Sequence, residues 1–251
     1  MKISMIKLKS RGYLIGNIPL LSLFVLTLCF LSVCLNILPE AATQLLSELP
    51  EKSQSLAVSG ISLSVIFVLL FFLCLFDMGI HRFFLRKAQR KGGKVKDLFY
   101  YFSPSESLAV LSFFIRYKAM STILYAVSFA PFSVCVALLL QLLKGVPSLG
   151  VSLVMLCTAV LLFFTGAFFL SEVKASLFLV KYRFINGAYL NFRQLVSASQ
   201  NEMLKHKKAV FSLKVSFLWW FLSCLLILPS LYVFLYYSQS KAVLAAEIME
   251  E

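Results

Sequence analysis

The sequence predicts an all-α fold: a polytopic α-helical membrane protein with five to six transmembrane segments plus interfacial helices. Three observations predict it. Of 251 residues, 60% are hydrophobic and 14% charged, with a mean hydropathy of +0.89; a soluble domain is about 45–50% apolar and about 25% charged. Five uncharged stretches, 12–39, 53–76, 119–143, 145–171 and 215–240, reach the roughly 20 apolar residues that a spanning helix needs. These runs are continuous and do not alternate apolar with polar, which disfavours a strand barrel. Helices are then the way for backbone in hydrocarbon to satisfy its own hydrogen bonds.

The first expected span, 14–38, follows a basic start bearing Lys2, Lys7, Lys9 and Arg11. Its uncharged run exceeds the roughly 7–15 residues of a signal-peptide core, so it reads as a retained span. Further spans are expected at 57–80, 119–143 and 150–172, separated by basic segments at 81–118 and 173–208. Of the 24 basic residues, 21 fall within 1–11, 81–118 and 172–214. By the positive-inside rule the N-terminus and both basic segments are cytoplasmic, in a bacterial inner membrane crossed several times.

Within 81–118, Gly92-Gly93 breaks any helix, and the aromatics Phe99, Tyr100, Tyr101 and Phe102 predict an interfacial or re-entrant segment on the inner leaflet. Asn186-Gly187 predicts a turn, followed by a short, weakly amphipathic helix over 191–204. The C-terminal run allows two readings. One is a single span kinked at Pro229, giving five spans and an outside tail. The other is two helices, 209–228 and 229–249, turning at Pro229-Ser230, with six segments and an inside tail. The second sets Lys241 at depth, where an unpaired lysine costs about 2.5–3.5 kcal/mol, so either Lys241 must face other helices and find an acceptor or the hairpin must be tilted and shallow.

The net charge of +13 would suggest nucleic acid in a soluble protein. Here the basic residues lie between apolar runs, and anionic lipid headgroups are the expected partner, with other membrane proteins as further candidates. All six cysteines sit in apolar runs without C-x-x-C spacing, which implies neither a disulfide framework nor a zinc site.

Few residues could carry chemistry. Asp77, at the end of the second run, reads either as a proton or cation ligand at the inner mouth or as an interfacial carboxylate paired with Arg82 or Arg86. Glu172 and Lys174, at the end of the fourth, read as closing a polar cavity or as a boundary anchor pair. Both pairs form a candidate polar site. His81 and His206 are the only histidines, too few for a metal site. Lys205, His206, Lys207 and Lys208, with Trp219 and Trp220, form a candidate lipid or partner contact. There is no H-E-x-x-H, no G-x-x-x-x-G-K-[ST], and no histidine inside a run to pair with a serine, so enzyme activity, a cofactor and a metal are not expected. The small residues Gly60, Gly150 and Gly166 read as helix-packing positions.

Two motifs carry a resemblance. The first is Ser199, Met203, His206, Lys207, Phe211, Leu213, Ser216, Phe217 and Trp220 in SQNEMLKHKKAVFSLKVSFLWW. The second is Gly79-Ile80, then Leu85, then Asp97-Leu98-Phe99 with Phe102. In this the chain resembles a divergent member of a family of bacterial multispan membrane proteins, domain of unknown function 975, with Lys205 where that pattern carries glycine. The resemblance spans about residues 77–249. It implies about six membrane segments with both ends inside, and no reaction. The function expected is a non-enzymatic membrane scaffold or accessory subunit contacting anionic lipid; the alternative is a small transporter or permease component.

Overall fold

The computed structural model of the chain describes residues 2–18, 51–143, 149–187, 191–223 and 227–250, with single positions between 22 and 44. Every regular element among the described residues is helical. In chain order they are α1 (Ile3–Leu14), α2 (Glu51–Ala88), two 3-10 turns (Val95–Asp97 and Tyr100–Phe102), α3 (Pro104–Leu143), α4 (Leu149–Ser176), α5 (Phe178–Ile185), α6 (Phe192–Ser216), α7 (Leu218–Ser223) and α8 (Ile227–Glu250). The expected first span falls mainly outside these residues, as do Cys29 and Cys224. Cys34, Cys74, Cys135 and Cys157 are free thiols.

Three stretches, Leu63–Ala88, Pro104–Leu142 and Gly150–Ile185, are long and apolar enough to cross a membrane. They outrun what a bilayer needs. With 40 residues, α3 is about 60 Å long, twice a ~30 Å hydrocarbon core. Their surfaces divide accordingly. Along one end of α2, α3 and α4, large apolar side chains such as Phe67, Val134, Leu153 and Phe164 are exposed. There α3 and α4 form an antiparallel hairpin, in which Gly166 lies close against the Ser128 carbonyl.

At the other end the same helices join a closed core. It runs through Met78, Phe83, Phe84, Val110, Phe113, Leu179, Leu195, Met203 and Leu213. At its centre is α8, packed against α1 and α2. Ala242, Ala245 and Ala246 are buried there, small enough for close helix approach. Ser238, Gln239 and Ser240 are buried as well, and the Gln239 amide donates to the Phe84 carbonyl at 3.3 Å. Ile6 and Leu14 anchor α1 in the core. Polar links fasten it: Lys7 donates to the Ser216 carbonyl at 2.7 Å, Lys87 to the Tyr13 carbonyl at 2.9 Å, and Lys9 pairs with Glu247 at 2.6 Å.

The basic segments are largely helical. α2 runs on to Ala88, Tyr100–Phe102 forms a 3-10 turn, and α3 begins at Pro104, which lacks only an N–H that a first helical turn leaves free anyway. The Asp97 carboxylate pins the turn between them, accepting from Arg86 at 2.7 Å and from the Lys94 N–H at 2.8 Å. Phe99 and Phe102 then lie edge-on to Phe76. The short helix expected over 191–204 does not end at 204. One helix, α6, starts at an Asn191–Gln194 capping box and continues to Ser216. The Asn186-Gly187 turn forms as the spacing predicts, Gly187 being left-handed at φ +85°. Pro229 is the third residue of α8, in a first turn where proline is tolerated.

Candidate functional site

Two constellations emerge, and they redistribute the residues singled out in the sequence. The first is a groove of about 670 Å³ between α4 and α6, lined by Phe168, Glu172, Leu204, Lys205, Lys207, Lys208, Phe211 and Ser212. Its cationic wall comes from consecutive turns of α6. Its apolar wall comes from Phe168, Leu204 and Phe211. Glu172 lies 3.7 Å from Lys207.

The placement of α6 follows from its opposite face. Ser199, Met203, Leu213 and Phe217 are buried, and the Ser199 hydroxyl donates to the Ser176 carbonyl at 3.0 Å. That bond occupies an acceptor where the helix breaks between α4 and α5, at Leu177 (φ −94°, ψ 4°). The first motif thus contains core positions and groove positions interleaved at helical spacing. His206 is half-buried on α6. Trp219 and Trp220 lie beyond the Phe217 turn, exposed and outside the groove lining, with Trp220 edge-on to Tyr236 at 6.1 Å.

The second constellation surrounds Asp77. The expected pairing with Arg82 or Arg86 does not occur. These residues lie five and nine positions along α2, rotated about 140° and 180° from Asp77 at 3.6 residues per turn. The Arg82 guanidinium stacks 3.4 Å over the Tyr100 ring, and Arg86 holds Asp97. Asp77 instead pairs with Lys181 of α5 at 2.5 Å. His81, one turn along, points its Nδ1 at the Asp77 carbonyl (2.8 Å) and its Nε2 at the Lys181 ammonium (3.4 Å). A carbonyl can only accept, so Nδ1 carries the hydrogen and Nε2 presents a lone pair. Lys241 of α8 lies within electrostatic reach of Asp77 and Lys181, its ammonium 4.6 Å from the Tyr237 ring centroid. Lys241 thus faces other helices, and its ammonium meets the Tyr237 ring there.

Glu172 and Lys174 are not an anchor pair either. Two residues apart on a helix, their side chains diverge; Glu172 faces the groove, while Lys174 donates to the Tyr125 hydroxyl of α3. The four-residue polar site expected at Asp77, Arg82, Glu172 and Lys174 is therefore split among four places. Sequence reasoning missed Lys181 and Lys241 as site residues. The i, i+4 spacing of Asp77 and His81 was a readable signal; the arrival of α5 and α8 beside them had none. No family model, curated protein or solved structure matches the chain.

Proposed function

We propose that the chain is a non-enzymatic, multi-pass protein of the bacterial cytoplasmic membrane, a scaffold or accessory subunit that seats an anionic lipid in the α4–α6 groove. The observation that carries this reading is the meeting of three lysines with an apolar wall. A phosphodiester headgroup fits against Lys205, Lys207 and Lys208, and an acyl chain against Phe168, Leu204 and Phe211. Each lysine near such a surface contributes about 1 kcal/mol.

The depth agrees. Exposed apolar surface on α2, α3 and α4 gives way to charge at Asp77, Lys118 and Glu172, so the groove sits at headgroup level. The positive-inside pattern puts that level at the cytoplasmic face. The Lys9–Glu247 pair supports a tail on the same side as the N-terminus, which favours six segments over five. The two motifs support membership of the domain of unknown function 975 family. The exposed Trp219 and Phe234 suit contact with other membrane proteins.

The test is native mass spectrometry of the protein released from mixed nanodiscs of phosphatidylglycerol and phosphatidylcholine. The wild type retains phosphatidylglycerol selectively. The triple variant K205Q/K207Q/K208Q binds it about a hundredfold more weakly. Equal retention of both lipids by the wild type overturns the reading. A second reading, a small permease component, is favoured by one observation: the helix break at Leu177 stands four residues from the Asp77–Lys181 pair, and transporters place polar sites at interrupted helices.

A further inference from the structure

A cavity of about 180 Å³ opens where the end of α2 meets the end of α5. Arg82, Arg86 and Lys91 line it, with the Gln89 and Asn186 amides and the Tyr100 ring, and no carboxylate does. The α4–α6 groove differs in holding Glu172 against its lysines. Local geometry gathers the three cations. Arg82 and Arg86 are one turn apart on the same face of α2. A left-handed Arg90 (φ 57°) then closes that helix, returning the Lys91 N–H to the Arg86 carbonyl at 2.9 Å. Like charges one helical turn apart repel, so the arrangement costs the bare fold stability.

The protein supplies little to offset that charge. Arg82 stacks 3.4 Å over the Tyr100 ring, with the Tyr101 hydroxyl in electrostatic reach, and its Nε–H is buried without a hydrogen-bond partner. Among the described residues no carboxylate pairs with Arg82 or Lys91. Asp97 takes Arg86 at 2.7 Å, and Glu106 accepts from the Tyr100 hydroxyl at 3.2 Å. Nor do the helix ends require these cations as caps. The Leu85, Arg86 and Lys87 carbonyls already accept from the N–H groups of Gln89, Lys91 and Arg90, and those of Tyr182 and Phe184 from Asn186 and Gly187.

We propose that this cavity binds the phosphoryl group of a water-borne phosphate monoester. Two guanidinium forks and an ammonium match a tetrahedral oxyanion carrying about two charges. The Asn186 amide oxygen accepts from Gln89 at 3.2 Å, which leaves its two N–H groups to donate. A carboxylate, with one charge and two oxygens, would leave a cation unmatched. Position decides the source of the phosphate. Arg82 and Arg86 lie five and nine residues past Asp77, about 7.5 and 13.5 Å along α2, away from the end of that helix where Leu63 and Phe67 are exposed. A soluble ester reaches that point from water, whereas a lipid headgroup would have to leave its leaflet. The site is independent of the lipid groove.

The experiment is calorimetric titration of the full chain in phosphatidylcholine nanodiscs, at fixed ionic strength and neutral pH, with methyl phosphate, dimethyl phosphate and acetate as probes. Methyl phosphate is expected to bind saturably and acetate not measurably. Dimethyl phosphate, a singly charged diester like a lipid headgroup, binds about tenfold more weakly for its missing charge. R82Q weakens methyl phosphate about tenfold, the size of one lost charge-assisted hydrogen bond. K91Q weakens it about fivefold, and Lys91 is exposed, so that loss does not come from misfolding. Absence of saturable methyl phosphate binding, equal affinity for dimethyl phosphate or acetate, or an unchanged affinity in either variant overturns the proposal. Displacement of methyl phosphate by phosphatidylglycerol added to the nanodisc also overturns it, by giving the site to a lipid. So does a loss of binding in K205Q/K207Q/K208Q rather than in R82Q, which would give the phosphate to the groove.

Discussion

The α3–α4 hairpin and the bundle around α8 are built from the same kinds of residue with opposite outcomes. In the hairpin, Val134, Leu153 and Phe164 face outward, and little but Cys135, Ala159 and Ser128 is buried. In the bundle, Val243, Leu244 and Phe84 are enclosed, and even Ser240 and Gln239 are hidden. One region is apolar outside and the other apolar inside. Composition cannot distinguish them; the neighbours can. A lone pair of helices cannot cover its own circumference, and it becomes stable only where an apolar solvent takes over the remainder. Five helices around α8 cover one another, and their outer faces can then carry the basic residues.

The comparison breaks most visibly under matched truncations. Phe84→Ala in the bundle is expected to destabilise by about 4 kcal/mol, the loss for a large aromatic at a closed core site. Phe164→Ala on the hairpin wall, where the side chain is 67% exposed, is expected to change stability little in detergent. Denaturant unfolding of both variants in one micelle system measures the contrast, and equal losses would mean that the two regions are not built differently.

Close backbone approach sharpens the comparison by being shared. A Cβ at Gly79 would lie 2.0 Å from the Leu98 carbonyl oxygen, and one at Gly166 2.4 Å from that of Ser128. Both obstacles are backbone, so neither can swing aside. Gly79→Ala and Gly166→Ala are each expected to cost about 2–3 kcal/mol, read from the same unfolding curves. In the bundle the loss should include release of the Asp97 turn, seen as faster hydrogen exchange at 94–102; in the hairpin it should not.

The smallest expected effect is at the bundle's rim. Lys9→Ala removes the pair with Glu247, whose side chains are 44% and 24% exposed, and is expected to cost under about 1 kcal/mol. The hydrogen bond and charge of Glu247 raise the Lys9 pKa above its usual 10.5. The contribution of the pair is therefore fully present below that value and is lost as pH rises through the raised one. The wild type and Lys9→Ala should converge in alkali, and a gap that widens there would mean another group is responsible.

Much of this organisation was legible in the sequence, for definable reasons. Helical class and membrane-length segments follow from run length and charge spacing, which are local. The turn at Asn186-Gly187 and the groove lysines 205, 207 and 208 are local too: adjacent residues on one helix stay near one another wherever that helix goes. What escaped was everything that depends on helical phase across a break or on distant chain. Arg82 looked like a partner for Asp77 because it is near in sequence, yet 3.6-residue winding turns it towards Tyr100. Lys181, 104 residues from Asp77, carries no mark that distinguishes it from other basic residues. The aromatic run 99–102 was recognised as non-solvent surface, but its packing on Phe76 of α2 was not readable, because it depends on how the chain turns at Asp97.

The clasp between α1 and α8 has a consequence in time. Lys9 and Glu247 are 238 residues apart, so a ribosome working at about 5–20 residues per second needs roughly 10–50 seconds to reach the partner of a helix it has already released. For that interval Ile6 and Leu14 lack the groove that later encloses them. An amphipathic segment in this position rests most readily on a lipid surface, which holds it flat beside the growing chain until α8 arrives to lift it into the bundle. The nascent chain is therefore most exposed to proteases before its last helix is made, and a pause in translation within α8 would prolong that exposure more than one of equal length in the hairpin.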